Sequence, residues 1–154
     1  NTFPDGNLRG CIGYPQPFFP LEESIVRGAE GATRDPRFPP LSEGEIDGIV
    51  VEVSLLSAPE KVSVKNPKGY LKKVRVGTHG LIAEQGAFKG LLLPQVPVEQ
   101  GWDTEQFLSQ TCMKAGLFPD AWLDPKTKIY SFTGTVFGEI EPMGRVERKN
   151  LDGS

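Results

Sequence analysis

Leu8-Arg9-Gly10-Cys11-Ile12-Gly13 is the stretch around which the rest of this chain is organised. An extended segment sends alternate side chains to opposite faces. Read as a strand over 8–14, it directs Leu8, Ile12 and Tyr14 into a core and Arg9 and Cys11 the other way. Two residues apart on one face, the Arg9 and Cys11 Cα atoms lie roughly 6–7 Å from each other. A cation at that range favours thiolate over thiol. Gly10 and Gly13 carry no side chain, so a second backbone or a ligand can approach closely. The pattern has the shape of a site but names no reaction.

Downstream, Pro15, Pro17 and Pro20 interrupt the chain, and Pro20 suits the first turn of a helix. Leu21, Ile25, Ala29 and Ala32 recur at helical spacing, which predicts a helix over 20–33 with Glu22 and Glu23 near its N-terminus. Gly28 and Gly31 weaken that helix unless it packs closely on a sheet. Asp35–Pro40 is an extended loop, because residues before proline avoid the α region. Ser42 and Glu45 have the spacing of a capping box. The strongest strand is 49–56, a β-branched run interrupted by Glu52 and Ser54. A short helix opens at Asn66-Pro67 and runs to Lys72. Short strands are predicted over 75–78, 81–85 and 88–93, the last two forming a hairpin about Gly86-Ala87 that ends at Pro94–Pro97. Asp103 has N-cap chemistry with Gln106 three residues on, and the helix 104–115 turns Phe107, Leu108, Cys112 and Ala115 inward before Gly116. A turn of helix around Trp122, one long strand over 129–140 and a loose tail over 142–154 complete the chain.

Strands and helices do not alternate as βαβ units. The fold class is α+β, with a mixed or antiparallel sheet covered by two main helices, in two lobes divided near residues 58–75. At 154 residues the chain makes one domain. Its net charge is −3 with both signs interspersed, so no basic stripe speaks for nucleic acid. No apolar run is long enough to span a bilayer. Two cysteines without a framework and an N-terminus without a signal peptide point to a reducing compartment, with the cytoplasm as default. The chain starts without Met and reaches a core-like element by Leu8, so a preceding segment is expected in the natural protein.

The motifs LRGCIG (8–13), DPRFPP (35–40), VEVSLL (51–56), VGTHGL (76–81), LLLPQV (91–96), EQGWD (99–103) and CMKAGL (112–117) occur in this order over nearly the whole chain. With them the sequence resembles the AMMECR domain family, named after the AMME-syndrome critical region and similar to the Amme component of the AmmeMemoRadiSam system. The resemblance implies a single two-lobed α+β domain whose LRGCIG strand borders a cleft between the lobes. It also implies a further helix and strand before LRGCIG, which this sequence lacks. The family carries no established activity. Its gene neighbourhoods imply a Memo-like protein and a radical S-adenosylmethionine enzyme as partners, although this chain holds no cysteine cluster for an iron–sulfur centre.

Each candidate residue has two readings. Cys11 is a nucleophile or redox thiol with His79 as general base, or a small residue packed between glycines. Arg9 binds an anionic ligand or pairs with Glu52, whose carboxylate in an apolar strand needs Arg9, Arg34 or Arg37. His79, the one histidine, is a general base or caps a turn. Arg37 stands on a rigid loop that forms a lip or a connector held by Asp35. Gln95, Gln100, Trp102 and Asp103 cluster after a strand, where Trp102 is a stacking platform or core packing. Cys112 is structural. No spacing suggests a zinc site, and no cofactor is implied. The leading reading is a polar cleft of Arg9, Gly10, Cys11, Gly13, Glu52, Arg37, Gln95, Trp102 and His79 that binds a small or peptide-like anionic ligand, with thiol-dependent chemistry at Cys11. The alternative is a non-catalytic protein with an interaction or regulatory role.

Overall fold

Seven strands form two sheets in the computed structural model, which describes residues 1–151. The chain divides into two compact units. Asn1–Leu55 joins Thr135–Lys149 in the first, and Leu56–Gly134 forms the second together with the described residues from Asn150 on. The division therefore falls at residues 55–56 and again at 134–135, outside the expected 58–75.

The second unit contains β2 (Glu60–Lys61), β3 (Gly80–Gln85), β4 (Phe88–Leu92) and β5 (Lys128–Phe132), ordered β2-β5-β3-β4 with every pairing antiparallel. The expected hairpin forms with Gln85 opposite Phe88. Along β3, Leu81 and Ala83 point to the same side, as alternation requires. They join Phe107, Leu108, Cys112, Trp122 and Ile129 in one buried core. Phe107, Leu108 and Cys112 come from helix α5 (Thr104–Lys114), which starts as its sequence suggests: the Asp103 carboxylate accepts from the Gln106 amide at 2.8 Å and the Gln106 side chain accepts from the Asp103 amide at 3.0 Å. Trp122 sits in the expected helical turn, its indole N–H donating to Ser109 Oγ at 3.3 Å.

The first unit holds helices α1 (Leu21–Ala32) and α2 (Glu43–Ile46) and the sheet β1 (Glu52–Leu56), β6 (Gly134–Glu139) and β7 (Val146–Lys149), ordered β1-β6-β7. Helix α1 lies where the periodicity places it, but its buried residues are Gly28 and Ala32, whereas Leu21 and Ile25 are exposed.

Several expectations are corrected. No strand runs over 8–14, where pairing is limited to a bridge between Thr2 and Leu8. Residues 75–78 form a turn, not a strand. The supposed single strand 129–140 breaks at Thr133, and its halves, β5 and β6, belong to different sheets. Pro94–Pro97 does not merely end a strand. It opens helix α4 (Gln95–Gln100), because prolines in a first turn lose no hydrogen bond that the helix would have made. The tail is not loose throughout, since Val146–Lys149 pairs antiparallel with β6; residues 152–154 lie outside the described part.

Gly90 in β4 is the tightest junction of helix and sheet in the second unit. A Cβ there would stand 2.3 Å from the Ala115 amide nitrogen and 2.6 Å from its Cα, at the end of α5. Both obstacles are backbone, so Gly90→Ala is expected to destabilise by about 3 kcal/mol, the upper part of the overpacking range. Gly13→Ala, whose Cβ meets nothing within 4 Å, leaves the urea midpoint in place. Equal midpoints for the two variants would contradict this packing.

Candidate functional site

In the first unit, residues 8–13 run along α1 and the loop 35–40. Gly10 is pressed on the end of α1: a Cβ there would meet the Ala32 carbonyl oxygen at 2.1 Å. Two residues on, Ile12 lies over Gly31, where a Cβ would come within 2.8 Å of Ile12 Cγ2. The helical glycines thus accommodate an extended segment, not the sheet that was expected to cover them.

Arg9 points inward and is only 6 % exposed. Each of its three guanidinium nitrogens donates a hydrogen bond. Nε donates to Glu45 Oε1 at 3.0 Å, Nη2 to Glu45 Oε2 at 3.3 Å, and Nη1 to the Pro39 carbonyl at 2.9 Å. Nη2 also reaches the Pro40 carbonyl at 3.5 Å. Glu45 Oε2 accepts in addition from the Ser42 amide and hydroxyl, each at 2.9 Å. The Arg9 guanidinium and then these Ser42 groups hold the Glu45 carboxyl down at about 2. The structure therefore pairs Arg9 with Glu45, not with Glu52. Glu52 pairs with Lys149 at 2.6 Å instead of any of the three arginines expected.

Asp35 is buried, and its carboxylate accepts four bonds. Oδ2 takes the Cys11 amide at 2.9 Å and Arg37 Nη2 at 2.7 Å, and Oδ1 takes the Arg37 amide and Nε, each at 3.0 Å. The Arg37 side chain foremost, then the Cys11 and Arg37 amides, keep this carboxyl well below the usual range. The same contact raises Arg37 above its ordinary value. The Arg37 side chain remains 57 % exposed, over the Phe38 ring, with Nη2 3.5 Å from the Cys11 carbonyl. Cys11 itself is exposed and its thiol is free. The segment thus alternates differently from a strand: Arg9 and Gly10 are buried together, and Cys11 to Phe18 are exposed in a row.

The other candidates make different contacts. His79, in the second unit, accepts the Arg75 amide on Nδ1 at 3.0 Å and so closes the turn after α3 (Tyr70–Lys73). Burial, and secondarily the Arg75 charge, lowers its pKa. Gln95 begins α4, and its Oε1 is buried with no hydrogen-bond partner among the described residues. Trp102 packs against the core of the second unit. Cys112 is buried there, and burial pushes its thiol up to about 11. Gly13 is exposed. Among the described residues no three His, Cys, Asp or Glu side chains are grouped as metal ligands, and no helix is long and apolar enough to cross a membrane. Sequence reasoning did not assign Glu45 to Arg9; its capping-box spacing was legible, but nothing in the spacing shows a second, more distant partner.

A two-unit α+β chain in which an LRGCIG segment is fastened by a DPRFPP loop defines a class, and comparison with known proteins places it. The AMMECR1 family model matches residues 2–137, and the chain belongs to this family. It is similar to the protein MJ0810 of Methanocaldococcus jannaschii, with 54 % identity over 98 % of this chain and 76 % of the relative. The protein TK0174 of Thermococcus kodakarensis is 55 % identical over 98 % of this chain and 74 % of its own length. The crystal structure of the uncharacterized protein PH0010 from Pyrococcus horikoshii superposes with a TM-score of 0.91 at 51 % identity, covering 97 % of this chain and 74 % of that one.

Removing Arg9 strands the Glu45 carboxylate and two carbonyls. Arg9→Gln is expected to cost about 2–3 kcal/mol in urea unfolding, short of the roughly 3–5 kcal/mol of a fully buried pair, because Glu45 remains 35 % exposed. A loss under about 0.5 kcal/mol, typical of surface substitutions, would contradict the assignment.

The pH dependence has a defined sign. Glu45 and Asp35 ionise more readily in the folded chain. Their contributions are complete above the unfolded carboxylate range of about 4 and are lost as pH falls through the folded values. His79 is also lowered, so the folded chain binds its proton less readily than the unfolded one. Stability is expected to begin falling as pH drops below about 6.5, the ordinary histidine value. His79→Asn should flatten that first part of the profile while leaving the acidic part; an unaltered profile would show that His79 does not set it.

Proposed function

We propose that the Cys11–Arg37 face of the first unit is the working site of this protein: Arg37 receives the anionic group of a small or peptide-like ligand, and the Cys11 thiol is the group available for thiol-dependent chemistry on it. The observation that carries this reading is an exposed free thiol whose backbone is clamped by Asp35 at 2.9 Å, with the half-exposed Arg37 fixed by the same carboxylate. A side chain held at both ends of its contacts needs little reordering to bind. Arg9 serves this site from below, through the loop carbonyls of Pro39 and Pro40, and not as the ligand's own partner. An interaction protein working beside a Memo-like or radical S-adenosylmethionine protein is the second reading. It is favoured by the exposed Phe18, Leu21 and Val26 of the same unit.

Charged and neutral alkylating reagents separate these readings. Native protein should take up one label per chain at Cys11, with Cys112 labelled only on unfolding. Relative to a free thiol, Cys11 should favour anionic iodoacetate over neutral iodoacetamide. Arg37→Gln or high salt should reduce that preference severalfold, since screening acts on exposed charges. An iodoacetate-to-iodoacetamide ratio that is the same in wild type and Arg37→Gln would remove Arg37 as an anion receptor.

A further inference from the structure

The charges of this chain are less evenly spread than its net value suggests. Residues 61–75 carry Lys61, Lys65, Lys68, Lys72, Lys73 and Arg75 and no acidic residue, a local charge of +6. The remainder holds 11 Lys and Arg against 20 Asp and Glu, a charge of −9. All six cations of the segment are exposed. The ion pairs of the described residues draw on Arg9, Arg27, Arg37, Lys89, Arg145 and Lys149, and none draws on the segment. Elsewhere, then, more than half of the cations are neutralised by the fold, and here none is.

The fold gives this segment a shape. It runs from β2 through a loop into a 3-10 turn at Pro67–Gly69 and then α3. Lys73 donates to the Ser63 carbonyl and so ties the helix back to the loop. Between them lies an open recess of about 490 Å3 lined by Ser63, Val64, Lys65, Asn66, Gly69 and Lys73. Tyr70 and Val74 anchor the segment in the core of the second unit. The cations therefore stand on a fixed scaffold.

We propose that residues 61–75 form a docking surface for the phosphate backbone of a nucleic-acid duplex. Six cations exceed what a single phosphate can engage. Five of them are lysines, compact point charges that suit phosphate oxygens without demanding a bidentate geometry. The segment offers no base-stacking platform, because its one aromatic residue, Tyr70, is buried. That favours a duplex backbone over single-stranded bases. Leu71 is its one exposed large apolar side chain, which leaves little of the apolar centre that a protein partner needs. The remainder of the chain is net acidic, which disfavours a polyanion there and favours association at this segment.

Anisotropy titration of a short labelled duplex of mixed sequence across a salt series tests this. With five or six phosphates engaged, log K is expected to fall against log salt with a slope of about −5. Combined Lys65→Gln, Lys68→Gln and Lys72→Gln should reduce the magnitude of that slope by about 3, one per phosphate contact. The charge-matched control Lys114→Gln, Lys126→Gln and Lys128→Gln, exposed residues of the same unit, should leave it unchanged, with melting curves confirming that both variants fold. The proposal is overturned by no binding at low salt, by equal weakening in both variants, or by polyglutamate binding as tightly as the duplex. Displacement of the duplex by a free nucleoside triphosphate at equal phosphate concentration would likewise overturn it, in favour of a small-ligand recess.

Discussion

The arrangement of the first unit depends on one buried cation. Arg9 is desolvated, and a guanidinium cannot shed its proton, so its nitrogens must find acceptors. Glu45 and the Pro39 and Pro40 carbonyls supply them. Two proline carbonyls are well suited to this task. The Asp35–Pro40 loop is rigid, and its carbonyls have no ladder or helix to serve. The pair with Glu45 adds little net stability over an apolar substitute, but it fixes one placement of residues 8–13 against that loop. Asp35 then adds the second fastening, through the Cys11 amide. Once both are made, the segment cannot shift by a residue without leaving a buried charge alone.

The second unit is held differently. Its core is apolar and continuous, with Leu81, Phe107, Leu108, Cys112 and Ile129 fully buried, and its polar fastenings are local ones such as the Asp103 cap and the Ser109–Trp122 bond. The β5 pairings with β2 and β3 are long-range, but the turn between β3 and β4 and the cap of α5 are set by residues only a few positions apart. That explains why this half was the more legible. The hairpin, the cap, the inward face of α5 and the turn around Trp122 all follow from spacing and turn chemistry, and all appear where the spacing puts them.

The first unit was less legible for a physical reason. Alternation assigns faces only when a ladder holds the backbone extended on both sides. Residues 8–14 have no ladder. The Cys11 amide goes to a carboxylate, and the Arg9 and Gly10 amides go to the Asn1 carbonyl. Burial is then set by which side chain can be satisfied inside, and Arg9 meets four acceptor contacts there while Leu8, Ile12 and Tyr14 stay about 40 % exposed. The break at Thr133 was invisible for a related reason. Tyr130, Phe132 and Val136 stand at even spacing on both sides of it, and only strand order reveals that β5 and β6 serve different sheets. The family resemblance named the family, as the match over residues 2–137 shows, but did not say which atoms of the motif residues were already spoken for.

That distinction decides what the motif residues have left to offer. Of the charged residues in LRGCIG and DPRFPP, Arg9 is spent on Glu45 and on backbone carbonyls, and Asp35 is spent on Cys11 and Arg37. A motif can therefore identify a family through residues whose whole capacity goes into holding the loop together. What those bonds leave over is small and specific: the Cys11 sulfur and the outward side of the Arg37 guanidinium, which still has donors not committed to Asp35. The difference between the two cysteines makes the same point. Cys112 is enclosed by apolar neighbours that disfavour its thiolate, whereas Cys11 is anchored through its backbone and keeps its sulfur at the surface. Arg37 is itself what neutralises buried Asp35, so only its outward donors and the Cys11 sulfur are left uncommitted by the network.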